Sequence, residues 1–159
     1  MKLIVCAVGR LKSGPERDLA DRYLKRAGDL AGKLGLSGPA VIEINESRAR
    51  DDASRRHDEW SALASKSEGA TRIALDERGI ALRSDEFAER LVKRREAGTK
   101  ALAFLIGGAD GLDAAARQGS AEIISFGAMT LPHQLVRIVL LEQIYRALTI
   151  RLGHPYHRI

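Results

Sequence analysis

Four residues that can do chemistry on a nucleobase stand within five positions of one another near the C-terminus: His154, Tyr156, His157 and Arg158. An imidazole titrates close to neutral pH and can take a proton from a reacting group. A tyrosine ring can stack on or orient a base, and a guanidinium can hold a phosphate or steady a developing anion. Chain ends also fray and carry no role, and the spacing does not rank the two histidines as base. Three other stretches have the composition of ligand loops: Leu75-Asp76-Glu77-Arg78-Gly79, Ile106-Gly107-Gly108-Ala109-Asp110-Gly111 and Phe126-Gly127-Ala128-Met129-Thr130-Leu131. Each follows a short apolar run, and the glycines in them let the backbone approach a ligand closely. One such turn often only satisfies backbone geometry; three at the same edge of one sheet mark a pocket.

The pattern excludes several site classes. Val8-Gly9-Arg10-Leu11-Lys12 follows the first apolar run where a dinucleotide fold would place G-x-G-x-x-G, and no G-x-x-x-x-G-K-[ST] phosphate loop occurs. No Cys/His or carboxylate group has metal-ligand spacing, so no metal is expected. His57, between Arg56 and Asp58, reads as a solvated surface residue.

Five β-rich runs, at residues 3–8, 41–44, 71–75, 102–106 and 123–126, alternate with helical patterns at 15–33, 47–66, from 84, 112–118 and from 132. This alternation with short connections predicts a single α/β domain over residues 1–159 on a five-stranded, mostly parallel sheet with helices on both faces. In such a sheet ligands bind beyond the carboxyl ends of the strands, where the three loops fall. Ser84 reads as an N-cap with Asp85 and Glu86 in the first turn. The charged stretch 47–66 is thin in apolar residues, with Trp60 and Leu63 its anchors. The last helix starts at Pro132 and stops before Gly153 and Pro155. Its polar side chains form two narrow stripes, His133, Arg137 and Arg151 on one side and Glu142, Arg146 and Thr149 on the other. A helix apolar nearly all round is buried on more than one side. A second copy of the chain would supply the extra cover, making a homodimer; burial between the sheet and the chain's own helices is the alternative.

The chain has 159 residues, 45% hydrophobic and 30% charged, the size and balance of one globular domain. No apolar run reaches the ~18 residues of a membrane span, and the start is not a signal peptide. A lone Cys6 inside the first strand forms no internal disulfide and suits the reducing cytoplasm. The net charge of +5 and pI near 9.7 favour an anionic partner such as nucleic acid.

The run Leu105-Ile106-Gly107-Gly108-Ala109-Asp110-Gly111, the stretch from Ser125 through Leu131-Pro132-His133-Gln134-Leu135-Val136-Arg137, the segment Glu142-Gln143-Ile144-Tyr145-Arg146-Ala147 and the closing His154-Pro155-Tyr156-His157-Arg158 closely resemble the large-subunit ribosomal RNA methyltransferases of the SPOUT superfamily. The resemblance spans the whole chain and is most specific in the last third; residues 45–67 add little. It implies a SPOUT-type fold with a C-terminal trefoil knot and an obligate homodimer. It also implies methyl transfer from S-adenosylmethionine to N3 of pseudouridine 1915 in 23S rRNA. On the family's pattern the donor is held by Leu75, Gly107, Phe126, Gly127, Ala128, Met129, Thr130 and Leu131, with His154, Tyr156, His157 and Arg158 as the catalytic tail. Arg137 and Arg146 are candidate RNA or partner contacts, although the Glu142–Arg146 spacing also suits a helix salt bridge. A nicotinamide- or flavin-binding oxidoreductase of similar build is disfavoured by the missing fingerprint. A non-enzymatic ribosome-binding factor is disfavoured by the intact loops and tail.

Overall fold

The computed structural model describes residues 1–156. Five strands, β1 (Lys2–Val8), β2 (Ser37–Ile44), β3 (Thr71–Ala81), β4 (Ala101–Ile106) and β5 (Glu122–Ser125), form one sheet in the order β2-β1-β4-β3-β5, every pairing parallel. Between and after them come α1 (Pro15–Ala31), α2 (Asp52–Lys66), α3 (Ser84–Glu96), α4 (Ala114–Gln118) and α5 (His133–Arg151). A parallel sheet is covered on both faces, so its central strands read as continuous apolar runs. Leu3, Val5, Ala7, Leu102, Phe104 and Ile106 join the core shared with α1, α3 and α5. Their alternates Ile4, Cys6, Val8, Ala103 and Leu105 join the smaller core with Leu63 of α2 and Ala116 of α4.

Several boundaries differ from the sequence expectation for identifiable reasons. β3 runs on to Ala81, with its register against β5 shifting between Leu75 and Ile80, so residues 76–79 loop out while pairing resumes beyond them. Gly79 permits that close return, because a Cβ there would lie 2.5 Å from the backbone of Ile124. α2 starts at Asp52, not 47, because the Asp51 side chain accepts from the Ser54 N–H at 2.8 Å and caps the helix there. Arg83, not Ser84, is the N-cap of α3: its backbone is extended and its N–H donates to Glu86 at 2.8 Å. The Ser84 hydroxyl is spent on α5, donating to Gln143 Oε1 at 2.8 Å.

The chief correction concerns α5. Apart from Leu135 near its start, its large apolar side chains are covered from within the chain, by α1 on one flank, α3 on the other and the sheet behind. Its hydrophobicity therefore does not by itself call for a second copy. Arg146 donates to Glu142 at 2.6 Å, the ordinary helix salt bridge. Arg137 lies on a polar stripe yet is only 1% exposed. Its guanidinium donates to the carbonyls of Gly9 at 2.8 Å and Val8 at 3.3 Å and pairs with Glu43 of β2. That pins the start of α5 to the carboxyl ends of β1 and β2.

Two expectations follow. Arg137→Ala removes the guanidinium from two carbonyls and leaves Glu43 with only the Leu11 N–H and a longer contact to Arg17, so urea unfolding should show a loss of about 3 kcal/mol, the usual penalty for breaking a buried pair. Burial pushes the Cys6 thiol up to about 11, so iodoacetamide at pH 8 should label the native protein far more slowly than the unfolded one. The unfolded thiol ionises near pH ~8.5 and the folded one does not, so this group favours unfolding as pH rises toward 11.

Candidate functional site

The looped-out middle of β3, at residues 75–78, and the carboxyl ends of β4 and β5 open into a cavity of about 680 Å³, roofed by residues 126–132 and closed on one side by the first turn of α5. Strand geometry explains why three loops meet there: β4 and β5 both flank β3, so their outgoing turns emerge side by side. Among the residues expected to hold a donor, Leu75, Gly107, Phe126, Gly127, Met129, Thr130 and Leu131 line the cavity. Ala128 does not line it and points to no wall; it is exposed. The cavity is also lined by Asp76, Glu77, Arg78, Asp110, Arg117 and His133.

The turns are held by short-range polar contacts. Ser125 Oγ accepts from the Gly127 N–H at 3.1 Å and donates to the Gly127 carbonyl at 2.8 Å, fixing the start of the roof. Thr130 Oγ1 reaches Glu77 at 3.4 Å across the mouth. Asp76 accepts from Arg117 at 3.1 Å and from the Arg78 N–H at 3.0 Å, so this carboxylate braces the loop and is not a free base. The Gly108 carbonyl accepts from the Gly111 N–H at 3.1 Å, closing the glycine turn. Gly107 must be glycine, since a Cβ would lie 2.7 Å from Gly111; Gly127 has φ +125°, which side chains rarely adopt. Bulk at either position would deform the loop as well as fill the cavity.

His133 is the imidazole of the wall itself, its side chain 15% exposed and Nε2 3.8 Å from Glu46. Burial lowers its pKa from the ordinary value, the Arg137 charge lowers it further, and Glu46 pulls the other way. Sequence reasoning placed His133 only on a helix stripe; its position one residue after the Pro132 helix start was the signal that it faces the strand ends. Among the described residues no three His, Cys, Asp or Glu side chains gather closely enough to hold a metal ion.

The described residues of the expected catalytic tail lie elsewhere. His154 and Tyr156 follow the far end of α5, whose 19 residues span about 28 Å at 1.5 Å per residue. His154 is exposed, and its Nδ1 accepts from the Tyr156 N–H at 3.2 Å. The Tyr156 hydroxyl sits 3.1 Å from Glu142 and 3.4 Å from the Tyr23 hydroxyl. Its ring packs 4.6 Å from that of Tyr145, with Arg146 at 5.1 Å from its centre. Burial and these neighbours raise the phenol's pKa above its ordinary range. Tyr156 is thus anchored to α5 and α1 and does not present a free face to a base. His157 and Arg158 lie outside the described residues.

Comparison with known proteins agrees with this architecture. The family described as predicted SPOUT methyltransferase matches residues 1–157. Proteins named ribosomal RNA large subunit methyltransferase H from Rhodopseudomonas palustris (strain BisB18) and Nitrobacter hamburgensis are each 52% identical over 159 residues, covering 99% of this chain and 99% of theirs. The protein of that name from a Bradyrhizobium species is 50% identical over 99% of this chain and 98% of its own length. A solved structure, a probable methylase family protein from Haemophilus influenzae, superposes with a TM-score of 0.50 at 10% identity, covering 99% of this chain and 70% of that one, a likeness of fold. With full-length matches of this extent, the chain belongs to the SPOUT methyltransferase family, among the ribosomal RNA large subunit methyltransferase H proteins.

Proposed function

We propose that this chain is an S-adenosylmethionine-dependent methyltransferase acting on N3 of a pseudouridine in 23S rRNA, within the large subunit or assembled ribosome. It works in the cytoplasm as a homodimer of single, knotted domains. The observation that carries the reading is the cavity where the looped-out middle of β3 and the ends of β4 and β5 meet, in a member of this family. Its residues suit a methyl donor of this kind. Leu75 and Leu131 offer apolar walls for an adenine, and the peptide groups of residues 107 and 126–131 offer hydrogen bonds to its edge. Gly107 leaves room that a side chain would take.

When bound, S-adenosylmethionine supplies a methyl group made electrophilic by its sulfonium, so the protein's work is positioning and removal of one proton. The roof of residues 126–132 and the turn at 107–111 would hold the donor, and Asp76, engaged by Arg117, would brace the wall between them. Removing the imide proton falls to the tail: an imidazole of His154 or His157 accepts it, and Arg158 steadies the anion. Tyr156 anchors the tail.

One chain holds its cavity at one end of α5 and its tail at the other. Joining them requires the tail of a second chain, and this separation replaces helix hydrophobicity as the argument for a dimer. The exposed large apolar side chains among the described residues, Ile80, Met129 and Leu135, lie on segments bounding the cavity and support a covered mouth. The knot accords with the same crossing of residues 126–132 over β3 and β4.

Leu131→Trp adds bulk to the cavity without disturbing a glycine; calorimetric titration with S-adenosylmethionine should show binding lost while the melting temperature stays within a few degrees. Ending the chain after Tyr156 keeps the anchored ring and removes His157 and Arg158. Donor binding should survive, and single-turnover methylation of ribosomes should fall about 100-fold or more, whereas His133→Asn should lower it less than tenfold. Mixing the Leu131→Trp chain with the shortened chain should restore methylation through hybrid dimers; a site completed within one chain would give no recovery.

A further inference from the structure

The donor cavity rests on a side of the molecule that carries no expected site residue. α2 presents Arg55 and Glu59, one helical turn apart, toward the back of the glycine turn 107–111. Arg55 makes a two-point contact with Asp110, Nε to Oδ2 at 2.6 Å and Nη2 to Oδ1 at 3.1 Å. Its remaining nitrogen, Nη1, donates to the carbonyls of Ala49 and Arg50 at 3.2 and 3.1 Å. Glu59 is 6% exposed. Its Oε1 accepts from the Ser47 N–H at 3.1 Å, and its Oε2 is buried with no hydrogen-bond partner.

The carboxyl group of Glu59 lies against Gly108: a Cβ built there would be 3.0 Å from Oε2 and 3.2 Å from Oε1. Gly108 has the cavity on its other side. A nearly buried carboxyl oxygen left without a donor is unfavourable, and an apolar residue of similar length would fill the space at no such penalty. Burial raises the pKa of Glu59, with Asp110 and Glu46 adding to the rise and the Ser47 N–H and Arg55 opposing it. The tolerated strain makes sense where the loop's position matters more than stability.

We infer that Arg55 and Glu59 are positioning residues for methyl transfer, holding the glycine turn 107–111 and the linker 47–50 in the one arrangement that shapes the donor cavity. This rests on the donor-pocket reading above. Neither side chain lines the cavity, so neither touches the donor; each acts through the turn. Arg55 fixes the turn laterally through Asp110, and Glu59 sets its height by contact with Gly108. The linker they tie down also carries Glu46 at its edge, which faces His133 across the cavity's rim. The donor's two walls, the glycine turn and the first turn of α5, are thus referred to one helix.

The test measures S-adenosylmethionine affinity by calorimetry and ribosome methylation at saturating ribosomes, well below each variant's melting temperature. Arg55→Ala should weaken donor binding about five- to tenfold, the scale of a bidentate charge-assisted pair. The KM for the donor should rise in step, with kcat at saturating donor changed less than twofold. Arg55→Lys retains charge without the fork and should recover little of the loss. Glu59→Gln keeps an acceptor for Ser47 and the same shape, so it should bind donor as the parent does and melt at an equal or higher temperature. Glu59→Ala removes the contact with Gly108 and should lose donor affinity as Arg55→Ala does. A merely structural pair would lower melting temperatures and leave donor affinity unchanged in the folded variants, which would overturn the inference. Should Arg55→Ala not fold, Arg55→Lys decides on the same criterion. If the parent chain itself binds no donor, the donor-pocket reading fails and takes this one with it; parent binding with unaffected variants overturns this inference alone.

Discussion

The buried guanidinium of Arg137 is the contact on which the cavity depends. β5 is the edge strand, and β1, whose end Arg137 grips, lies three strands away across β3 and β4. At about 4.8 Å between strands that is a lateral distance of about 14 Å. Residues 126–132 must cover it, and seven residues reach at most about 25 Å. That length suffices to carry the connection across β3 and β4, where it lines the cavity as a roof. Release α5 from β1 and the same residues would be an ordinary surface loop. The floor beneath is shaped by glycine: Gly79 lets β3 return to β5, and Gly107 lets the β4 turn close on Gly111. A basic residue with no solvent exposure, in a helix otherwise rich in leucine and isoleucine, is what makes the geometry specific.

Legibility in the sequence followed the range of the interaction responsible. The β–α order, the parallel sheet and the apolar strands were readable because each reflects local periodicity. The three loops that line the cavity were readable because each follows an apolar run and carries its own glycines. The cap of α3 was misplaced because Ser84 has a distant use on Gln143 that no local pattern encodes. The cover over α5 was misjudged for a related reason. Periodicity states that a helix is buried on two sides, and only the packing of α1 and α3 tells by what. Arg137 looked like a surface contact because its acceptors, Gly9 and Val8, lie more than a hundred positions away. The charged stretch around α2 seemed generic since its informative partners, Asp110 and Gly108, are likewise remote.

The placement of the tail bears on how such a small chain divides its labour. Tyr156 is bound to Glu142, Tyr23 and Tyr145, so the residues that follow it leave from a fixed point on the α1–α5 face. An anchor next to a reactive group reduces the conformational freedom lost when that group meets its target, and positioning is where methyl transfer gains most. The anchored Tyr156 itself stands at the far end of α5 from its own chain's cavity, along a helix of 19 residues that spans about 28 Å. On the proposed function, donor binding and base handling fall to different parts of the fold, each stabilised by its own contacts: Asp76, Arg117 and Ser125 at the cavity, Glu142 and the tyrosines around Tyr156. In the proposed homodimer, such a division would let the donor bind before any RNA arrives, and a lone chain would hold the methyl group without the means to transfer it.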